Sequence, residues 1–346
     1  MVKFDVVVGN PPYQGEAKGD NKNYSAPIYT DFMDSAYSVA DKVMLITPGR
    51  FLFNAGGTKK AWNRKILKDP YFKVSHYEAD SSKVFANTDI KGGIAITYRN
   101  IDEKIEPVGI FIPYDELNDI VSKVSPALKN GALSDIIFAS EVYKFTDEMH
   151  FNHPTAESRL SKGHKYDLKS NIFEKLHDVF TSQKTNDSNT FASIYGRTKL
   201  EGRVYKQIKR EYIQVPSNFE KWKVFVPQAN GSGALGETLS SPVVGQPLTG
   251  HTQTFLSIGS FDTELEAKAC LQYIKTKFTR VLLGVLKITQ SNSRNTWSKI
   301  PLQDFTKDSD IDWSKSIAEI DQQLYEKYGL SEEEITFIET HVKEME

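Results

Sequence analysis

The first third of the chain alternates short apolar runs with segments in which apolar residues recur every three or four positions. Short apolar runs are typical of buried strands, and three-to-four spacing is typical of a helix with one buried face. The pattern predicts helices at residues 27–40 and 57–68 and strands at 4–8, 43–47, 72–77, 93–98 and 108–112. Strands that alternate with helices indicate an α/β sheet, and a continuous apolar run such as the first indicates a buried parallel strand.

The remaining two thirds of the chain is less regular. The polar segment 182–190 and the Gly- and Ser-rich segment 229–241 are predicted loops. The spacing of apolar residues from 263 to 288 predicts one long helix, capped by Asp262 or Thr263. Two surface helices are predicted at 314–328 and 331–343, and the second begins with a capping box, Ser-Glu-Glu-Glu. We therefore expect an α+β region followed by C-terminal helices.

Composition narrows the class of protein. The chain has 346 residues, of which 39% are hydrophobic and 25% charged, and no apolar run approaches the roughly 18 residues of a membrane helix. The N-terminus lacks the basic and apolar regions of an export signal. Cys270 is the only cysteine, which excludes an internal disulfide. We expect a cytoplasmic protein of more than one domain with no membrane partner.

The net charge of −2 conceals an uneven distribution. From Arg159 to Lys223 there are 14 Lys/Arg against 7 Asp/Glu, whereas from Asp304 to Glu346 there are 4 against 13. A basic segment in a near-neutral chain is compatible with nucleic-acid binding, although a solvated surface has the same composition. Charge alone leaves both interpretations open.

The residues with the clearest chemistry are Asn10-Pro11-Pro12-Tyr13, directly after the first predicted strand. Ligands of parallel α/β sheets bind at the carboxyl edge, where such a segment would lie. The two prolines restrict the backbone and remove two donors. The Asn10 side-chain oxygen and a carbonyl of Asn10 or Pro11 can then accept both hydrogens of one amine, while Tyr13 offers a stacking face. The segment is suited to a planar ring that bears an NH₂ group; a stiff turn with an aromatic anchor is the simpler alternative.

The run FDVVVGNPPY resembles motif IV of the amino-methyltransferases that use S-adenosylmethionine, in the form found in adenine-N6 DNA enzymes. The resemblance implies that Asn10 and Pro11 bind the adenine N6, that Pro12 holds the loop in shape and that Tyr13 stacks on a flipped-out base. It also implies a second aromatic residue on the other side of the base. The segment SKVFANTD before the strand at 93–98 resembles that family's eighth motif, which makes Phe85 the candidate. An ordinary core phenylalanine is the alternative.

The resemblance covers roughly residues 1–115 and includes VMLITPGRF, which is similar to the family's strand-plus-proline segment. A looser resemblance involves the segments WKVFVP and LLGVLKIT. These segments are similar to the C-terminal target-recognition regions of methylases in which modification and restriction are linked. The resemblance implies three parts: a partial catalytic domain with the C-terminal strands of a Rossmann-like sheet (1–125), a DNA-binding target-recognition region (126–300) and acidic C-terminal helices (301–346).

The donor-binding part of such an enzyme is not recognisable. The family places a Gly-rich loop and an acidic residue of the donor site well upstream of NPPY, and only nine residues precede Asn10. We therefore expect an incomplete site for S-adenosyl-L-methionine, with Asn10 at its edge, and an upstream methyltransferase segment or subunit as partner. The seven histidines are scattered without metal-ligand spacing, so no metal is expected.

The best candidate for contact with double-stranded DNA is the stretch from Tyr195 to Arg210, which interleaves cations with Tyr195 and Tyr205. Its cations are Arg197, Lys199, Arg203, Lys206, Lys209 and Arg210. Their spacing places Arg203, Lys206 and Arg210 on one face if the segment is helical. Asn and Gln side chains near 228–230 and 290–295 are suited to reading base edges, and equally to ordinary loops.

Two other functions remain open at this stage. The same motif can grip the NH₂ of a protein glutamine or of guanine in RNA, although the long C-terminal region argues against such a small enzyme. Alternatively the chain is a DNA-specificity module without catalytic activity. Binding of S-adenosylmethionine, with and without an upstream protein, separates these possibilities.

Overall fold

The computed structural model of the protein describes residues 4–15, 26–53, 57–90, 92–182, 187, 189–287 and 289–345. The chain divides into two units, Met1–Pro113 and Tyr114–Glu346. The three-part division expected from sequence, at residues 125 and 300, concerns functional roles and stays a prediction.

The first unit is built on a four-stranded mixed sheet. Its strands are β1 (Phe4–Gly9), β2 (Ala40–Pro48), β3 (Phe72–Glu78) and β4 (Ile94–Asn100), and its helices are α1 (Tyr29–Val39) and α2 (Lys60–Leu67). The strand order is β1-β2-β4-β3, with β1 parallel to β2 and β4 antiparallel to both of its neighbours. The predicted parallel first strand and the two predicted helices are confirmed.

One face of this sheet carries the core of the unit. Val43, Leu45 and Ala95 are buried there in a cluster that also contains Met33 of α1 and Ile66 of α2. The core forms because apolar residues alternate along β2 and β4, and because the apolar stripes of both helices meet that face.

The opposite face of β1 is exposed, so the expectation that this strand is buried is wrong. Phe4, Val6 and Val8 are 55%, 52% and 72% exposed, and Met44, the register partner of Val8 on β2, is 37% exposed. No other described strand pairs with the outer edge of β1. The apolar run thus forms an edge strand with one uncovered face, which we call the open face.

The strand predicted at 108–112 is also wrong. Val108 and Phe111 do pack against the core cluster, so their apolar character is explained by burial. Gly109 between them has φ +61°, and its amide donates to the carbonyl of Leu67 rather than to a strand. A left-handed residue in the middle of the run prevents regular pairing with a sheet.

The second unit is α+β, as the sequence predicted. Its helices are α3 (Asp115–Val124), α4 (Asp147–Asn152), α5 (Ala156–Arg159), α6 (Ile172–Lys175), α7 (Glu264–Lys275), α8 (Lys277–Gly284), α9 (Ile317–Lys327) and α10 (Glu332–His341). Its strands are β5 (Ile137–Phe138), β6 (Lys144–Phe145), β7 (Phe191–Thr198), β8 (Gly202–Lys209), β9 (Ile213–Gln214), β10 (Trp222–Pro227), β11 (Val243–Gly245), β12 (Thr249–His251) and β13 (Phe255–Phe261). They form sheets of order β11-β10-β13-β5, β12-β7-β8 and β6-β9. Among the described helices none is long and apolar enough to cross a bilayer.

The helix predicted over 263–288 is divided in two at Thr276. The Thr263 hydroxyl caps α7, as predicted, but Thr276 then caps a new helix by accepting from the Thr279 amide at 3.1 Å. The buried Asp321 carboxylate also accepts the amides of Lys277 and Phe278, which satisfies the first donors of α8. The capping box at Ser331 is confirmed, since Ser331 and Glu334 exchange both hydrogen bonds.

The interior of the second unit contains a buried cation. Lys223 on β10 is fully buried, and its Nζ donates to the carbonyls of Phe219 and Thr249 at 2.8 and 3.1 Å. Burial lowers the pKa of Lys223 to about 7, because removal from water disfavours the charged form of the amine. His251 on β12 is also fully buried, and burial lowers its pKa to about 4.

Candidate functional site

The carboxyl ends of β1, β2 and β3 lie at one edge of the first sheet. β1 is parallel to β2, and both β2 and β3 are antiparallel to β4, so β1, β2 and β3 run in the same direction. Three segments therefore emerge at this edge: Asn10–Tyr13 after β1, Gly49–Phe53 after β2 and the turn that contains Phe85 after β3. Ligands of α/β sheets bind at this edge.

The segment after β1 is open to solvent but its end is anchored. Asn10 and Pro12 are exposed, and Pro11 and Tyr13 are half-buried. The carbonyl of Tyr13 accepts from the amide of Ile28 at 3.2 Å, directly before α1. The chain from Asn10 to Tyr13 is thus held between a strand and a helix, while Asn10 itself is exposed.

The Tyr13 side chain lies with its hydroxyl inward. Its Oη is buried and makes no hydrogen bond of standard geometry. Burial raises the pKa of Tyr13, and the nearby Asn10 side chain partly counteracts that shift. The ring contacts no other aromatic ring in the part of the chain that the structure describes. A half-buried ring whose hydroxyl lies inward suits a stacking face better than a hydrogen-bonding group.

The segment after β2 packs closely against the segment before β4. The Gly49 amide donates to the Gly93 carbonyl at 2.9 Å. A Cβ on Gly49 would lie 2.6 Å from the Gly92 carbonyl oxygen and 2.8 Å from the Tyr77 ring. Only glycine therefore fits at this position, which explains why the strand ends in Pro-Gly.

Phe85 lies in a tight turn after β3. The carboxylate of Asp80 accepts from the amide and hydroxyl of Ser82, and this interaction lowers the pKa of Asp80. The Phe85 amide donates to the Ser81 carbonyl at 2.8 Å, and the Thr88 hydroxyl donates to the Phe85 carbonyl at 2.7 Å. The backbone of Phe85 is fixed on both sides, and its ring is half-buried.

Tyr13 and Phe85 reach the same edge from strands that are not neighbours. Two strands separate β1 from β3, which corresponds to a distance of roughly 14 Å between strand axes. Two rings that contact both faces of a base at about 3.5 Å each lie about 7 Å apart. The turns after β1 and β3 must therefore bring the two rings closer together than the strand axes are. The stacking of both rings on one base stays a prediction.

The stretch from Tyr195 to Arg210 is a β-hairpin, so its predicted helical face does not exist. β7 and β8 pair with Arg197 opposite Arg203 and Tyr195 opposite Tyr205. Because side chains alternate along a strand, Lys206 lies on the other face from Arg203. Its Nζ lies 5.8 Å from the centre of the Phe173 ring.

The six predicted DNA-binding cations have different surroundings. The Arg203 guanidinium donates to the Ser240 and Ser241 carbonyls at 2.7 and 2.6 Å and lies over the Phe255 ring. Lys209 and Arg210 form ion pairs with Glu211 and Glu220. Arg197 and Lys199 are exposed and line a groove of about 610 Å³ with Lys169.

Lys169 is a cation that the sequence did not single out. It precedes α6, 28 residues before Arg197, and only the fold brings it to the groove. Conversely, Asn230 and Asn292 were suited to reading bases, but both are buried. Asn230 donates to the Thr238 carbonyl and Asn292 to the Pro227 carbonyl, so they support loops.

The expected incompleteness of the site for S-adenosylmethionine stays a prediction. Such a site requires a Gly-rich loop after a strand, whose backbone approaches the donor closely. Among the described residues at this edge, Asn10–Tyr13, Gly49–Phe53 and the turn that contains Phe85 are not Gly-rich. The edge offers amine acceptors and aromatic rings, which are groups for binding a base.

Comparison with known proteins gives two matches to methylases. Residues 1–85 match the family described as Eco57I restriction-modification methylase. A protein of Mycoplasma pneumoniae (strain ATCC 29342 / M129 / Subtype 1), described as an uncharacterized adenine-specific methylase, is 32% identical over 96 residues, which are 27% of this chain and 23% of that protein. The match thus spans about a quarter of the relative's length. Both matches are to proteins described as methylases.

Two solved structures share a distant likeness. The type IIL restriction-modification enzyme MmeI, in complex with DNA, is 10% identical with a TM-score of 0.40, covering 97% of this chain and 56% of that one. The type IIG restriction endonuclease BpuSI is 10% identical with a TM-score of 0.33, covering 86% and 44%. Likeness at these scores carries no conclusion about fold or activity.

Proposed function

We propose that this chain binds and presents the target adenine in a DNA adenine-N6 methyltransferase of the restriction-modification type. The observation that carries the proposal is the position of Asn10–Tyr13 at the carboxyl edge of the sheet, with Asn10 exposed and the Tyr13 backbone anchored. The methylase match over residues 1–85, which includes this segment and Phe85, supports it.

In this proposal the adenine leaves the duplex and is held by its amino group. The Asn10 side-chain oxygen and the Pro11 carbonyl accept the two N6 hydrogens, and Tyr13 and Phe85 contact the two faces of the ring. Both hydrogen bonds strengthen as N6 becomes positive during methyl transfer, so they stabilise the transition state more than the bound base. The proton leaves N6 afterwards, and no side chain of unusual pKa is required.

The methyl donor, S-adenosylmethionine, belongs in this proposal to a separate donor-binding segment. The open face, Phe4, Val6, Val8 and Met44, supports this step, because an exposed apolar surface beside an unpaired strand edge is a site for further sheet and helices. The donor-binding half of the resembled enzymes consists of such βαβ structure. It is the one occupant that would also bring the donor to the carboxyl edge.

Donor binding tests this arrangement. Calorimetry with S-adenosylmethionine should detect no binding to this chain alone and binding when the upstream segment is added. Val6→Asp should prevent association because it buries a charge at the open face. Asp31→Asn, at an exposed position on α1, is the control and should leave association intact.

The reaction itself is tested by product analysis. The reassembled enzyme is incubated with duplex DNA and labelled donor, and the DNA is digested to nucleosides and analysed by mass spectrometry. N6-methyl-2′-deoxyadenosine from the DNA is the expected product. Label in protein glutamine or in guanine of added RNA would favour the other substrates of this motif. Donor binding and DNA binding without transfer would instead indicate a specificity module.

A further inference from the structure

The end of the β7–β8 hairpin presents a leucine almost entirely to solvent. Leu200 is 97% exposed, the highest value among the large exposed hydrophobic residues of the described chain. Single exposed leucines are common on protein surfaces and alone indicate nothing. Three further features of this position distinguish it: a rigid backbone, adjacent cations and a groove beside the tip.

The tip is rigid despite its exposure. The loop between β7 and β8 contains three residues, and Thr198 is paired with Gly202 at its base. The Thr198 hydroxyl accepts from the Glu201 amide at 3.0 Å, and Gly202 has φ +73°, the left-handed residue that closes such a loop. The Lys199 amide donates to the Glu174 carboxylate at 2.9 Å, which fastens the tip to α6. Leu200 is therefore held outward by its neighbours.

The surroundings of the tip are suited to a polyanion. Arg197 and Lys199 closely precede Leu200 and line the groove of about 610 Å³ together with Lys169. Arg203 opposite Arg197 adds a fourth positive charge, since its partners are neutral carbonyls. Of the described residues, Glu174 lines the groove and Glu201 adjoins Leu200, so four cations face two carboxylates. Fixed cations in such a groove bind phosphates.

We infer that the hairpin tip inserts Leu200 between base pairs of the bound duplex, while Arg197, Lys199 and Lys169 contact the adjacent phosphates. Apolar wedges, leucine among them, separate base steps and bend DNA in this way, and two-stranded ribbons fit into its grooves. The rigid loop favours insertion, because ordering a flexible tip on binding would cost conformational entropy. This inference rests on the proposed function, which supplies DNA as the ligand.

The test uses the full chain and a DNA duplex that the chain selects from a pool of random sequences. Fluorophores at both duplex ends report bending, and permanganate reports unstacked thymines. The wild-type chain should shorten the distance between the two duplex ends. It should also make thymine at one base-pair step reactive to permanganate. Leu200→Ala should lose both signals and bind roughly tenfold more weakly. Leu200→Met should retain both, because it keeps an apolar wedge.

A matched leucine controls for surface effects. Leu265 on α7 is 76% exposed, and Leu265→Ala should behave as the wild type. Equal bending, reactivity and affinity of wild type and Leu200→Ala would overturn insertion while the DNA role remains. Failure of the wild-type chain to enrich any duplex would overturn the DNA role, and insertion with it. Thermal unfolding should be unchanged in all variants, because both leucines are exposed.

Discussion

The amide of Gly49, at the end of β2, donates to the carbonyl of Gly93 over 2.9 Å and joins two segments of the candidate site. A methyl group on Gly49 would lie 2.6 Å from the Gly92 carbonyl oxygen. Gly49→Ala should therefore lower the free energy of unfolding by about 1–3 kcal/mol, measured by urea denaturation. Gly9→Ala is the control, since its methyl group meets Leu45 Cδ2 at an ordinary 3.7 Å. Equal stability of both variants would contradict the packing described.

Tyr13 should act through its ring and not through its hydroxyl. The hydroxyl is buried without a standard hydrogen bond, so Tyr13→Phe removes an unsatisfied polar atom and should keep the methylation rate within about twofold. Tyr13→Ala removes the stacking face and should lower the rate about 10- to 100-fold. Single-turnover methylation by the reassembled enzyme measures both. A large loss in Tyr13→Phe would assign the hydroxyl a role that this account lacks.

We expect the cations of the hairpin to fall into two groups, those that bind DNA and those that stabilise the fold. Arg197→Ala should weaken DNA binding and reduce the dependence of log affinity on log salt concentration by about one, without changing thermal unfolding. Arg203→Ala removes hydrogen bonds to Ser240 and Ser241 and should also lower the free energy of unfolding by about 1–3 kcal/mol. Arg197→Lys should preserve the salt dependence. An unchanged free energy of unfolding in Arg203→Ala would contradict a stabilising role of Arg203.

Stability should rise with pH because of Lys223. Its pKa is about 7 in the folded chain and about 10.4 when unfolded, so between these values the unfolded chain binds more protons. The free energy of unfolding should increase from pH 7 to 9 by up to about 1.4 kcal/mol per pH unit, and this contribution is lost as pH falls through 7. Lys223→Met should flatten the slope over that interval. Lys221→Met, at an exposed neighbour, should not.

The sequence predicted the features that depend on local pattern. The strand before Asn10, the helices at Tyr29–Val39 and Lys60–Leu67 and the capping box at Ser331 follow from residue spacing and polar caps. The motif Asn10–Tyr13 could be located because two prolines after an apolar strand are restrictive. What it contacts could not be predicted, because no local window shows which strands become neighbours.

The errors have physical causes that lie outside a local window. The cations from Lys199 to Arg210 happen to recur at helical spacing, whereas Gly202 and the alternating Val204 and Ile208 favour a hairpin once the opposite strand is considered. The long helix over 263–288 breaks at Thr276, where the distant Asp321 carboxylate satisfies new helical amides. The apolar residues of β1 suggested burial, but the described chain leaves one face of that strand open.

Asn10 provides the most direct test of the central claim. Asn10 is exposed, so Asn10→Ala should fold normally, as thermal unfolding will show. In the reassembled enzyme it should lower the single-turnover rate of adenine methylation about 100-fold, because one acceptor of the N6 hydrogens is lost in the transition state. DNA affinity, measured in parallel by anisotropy, should change little. A methylation rate equal to that of the wild type would contradict the proposed grip on the adenine amino group.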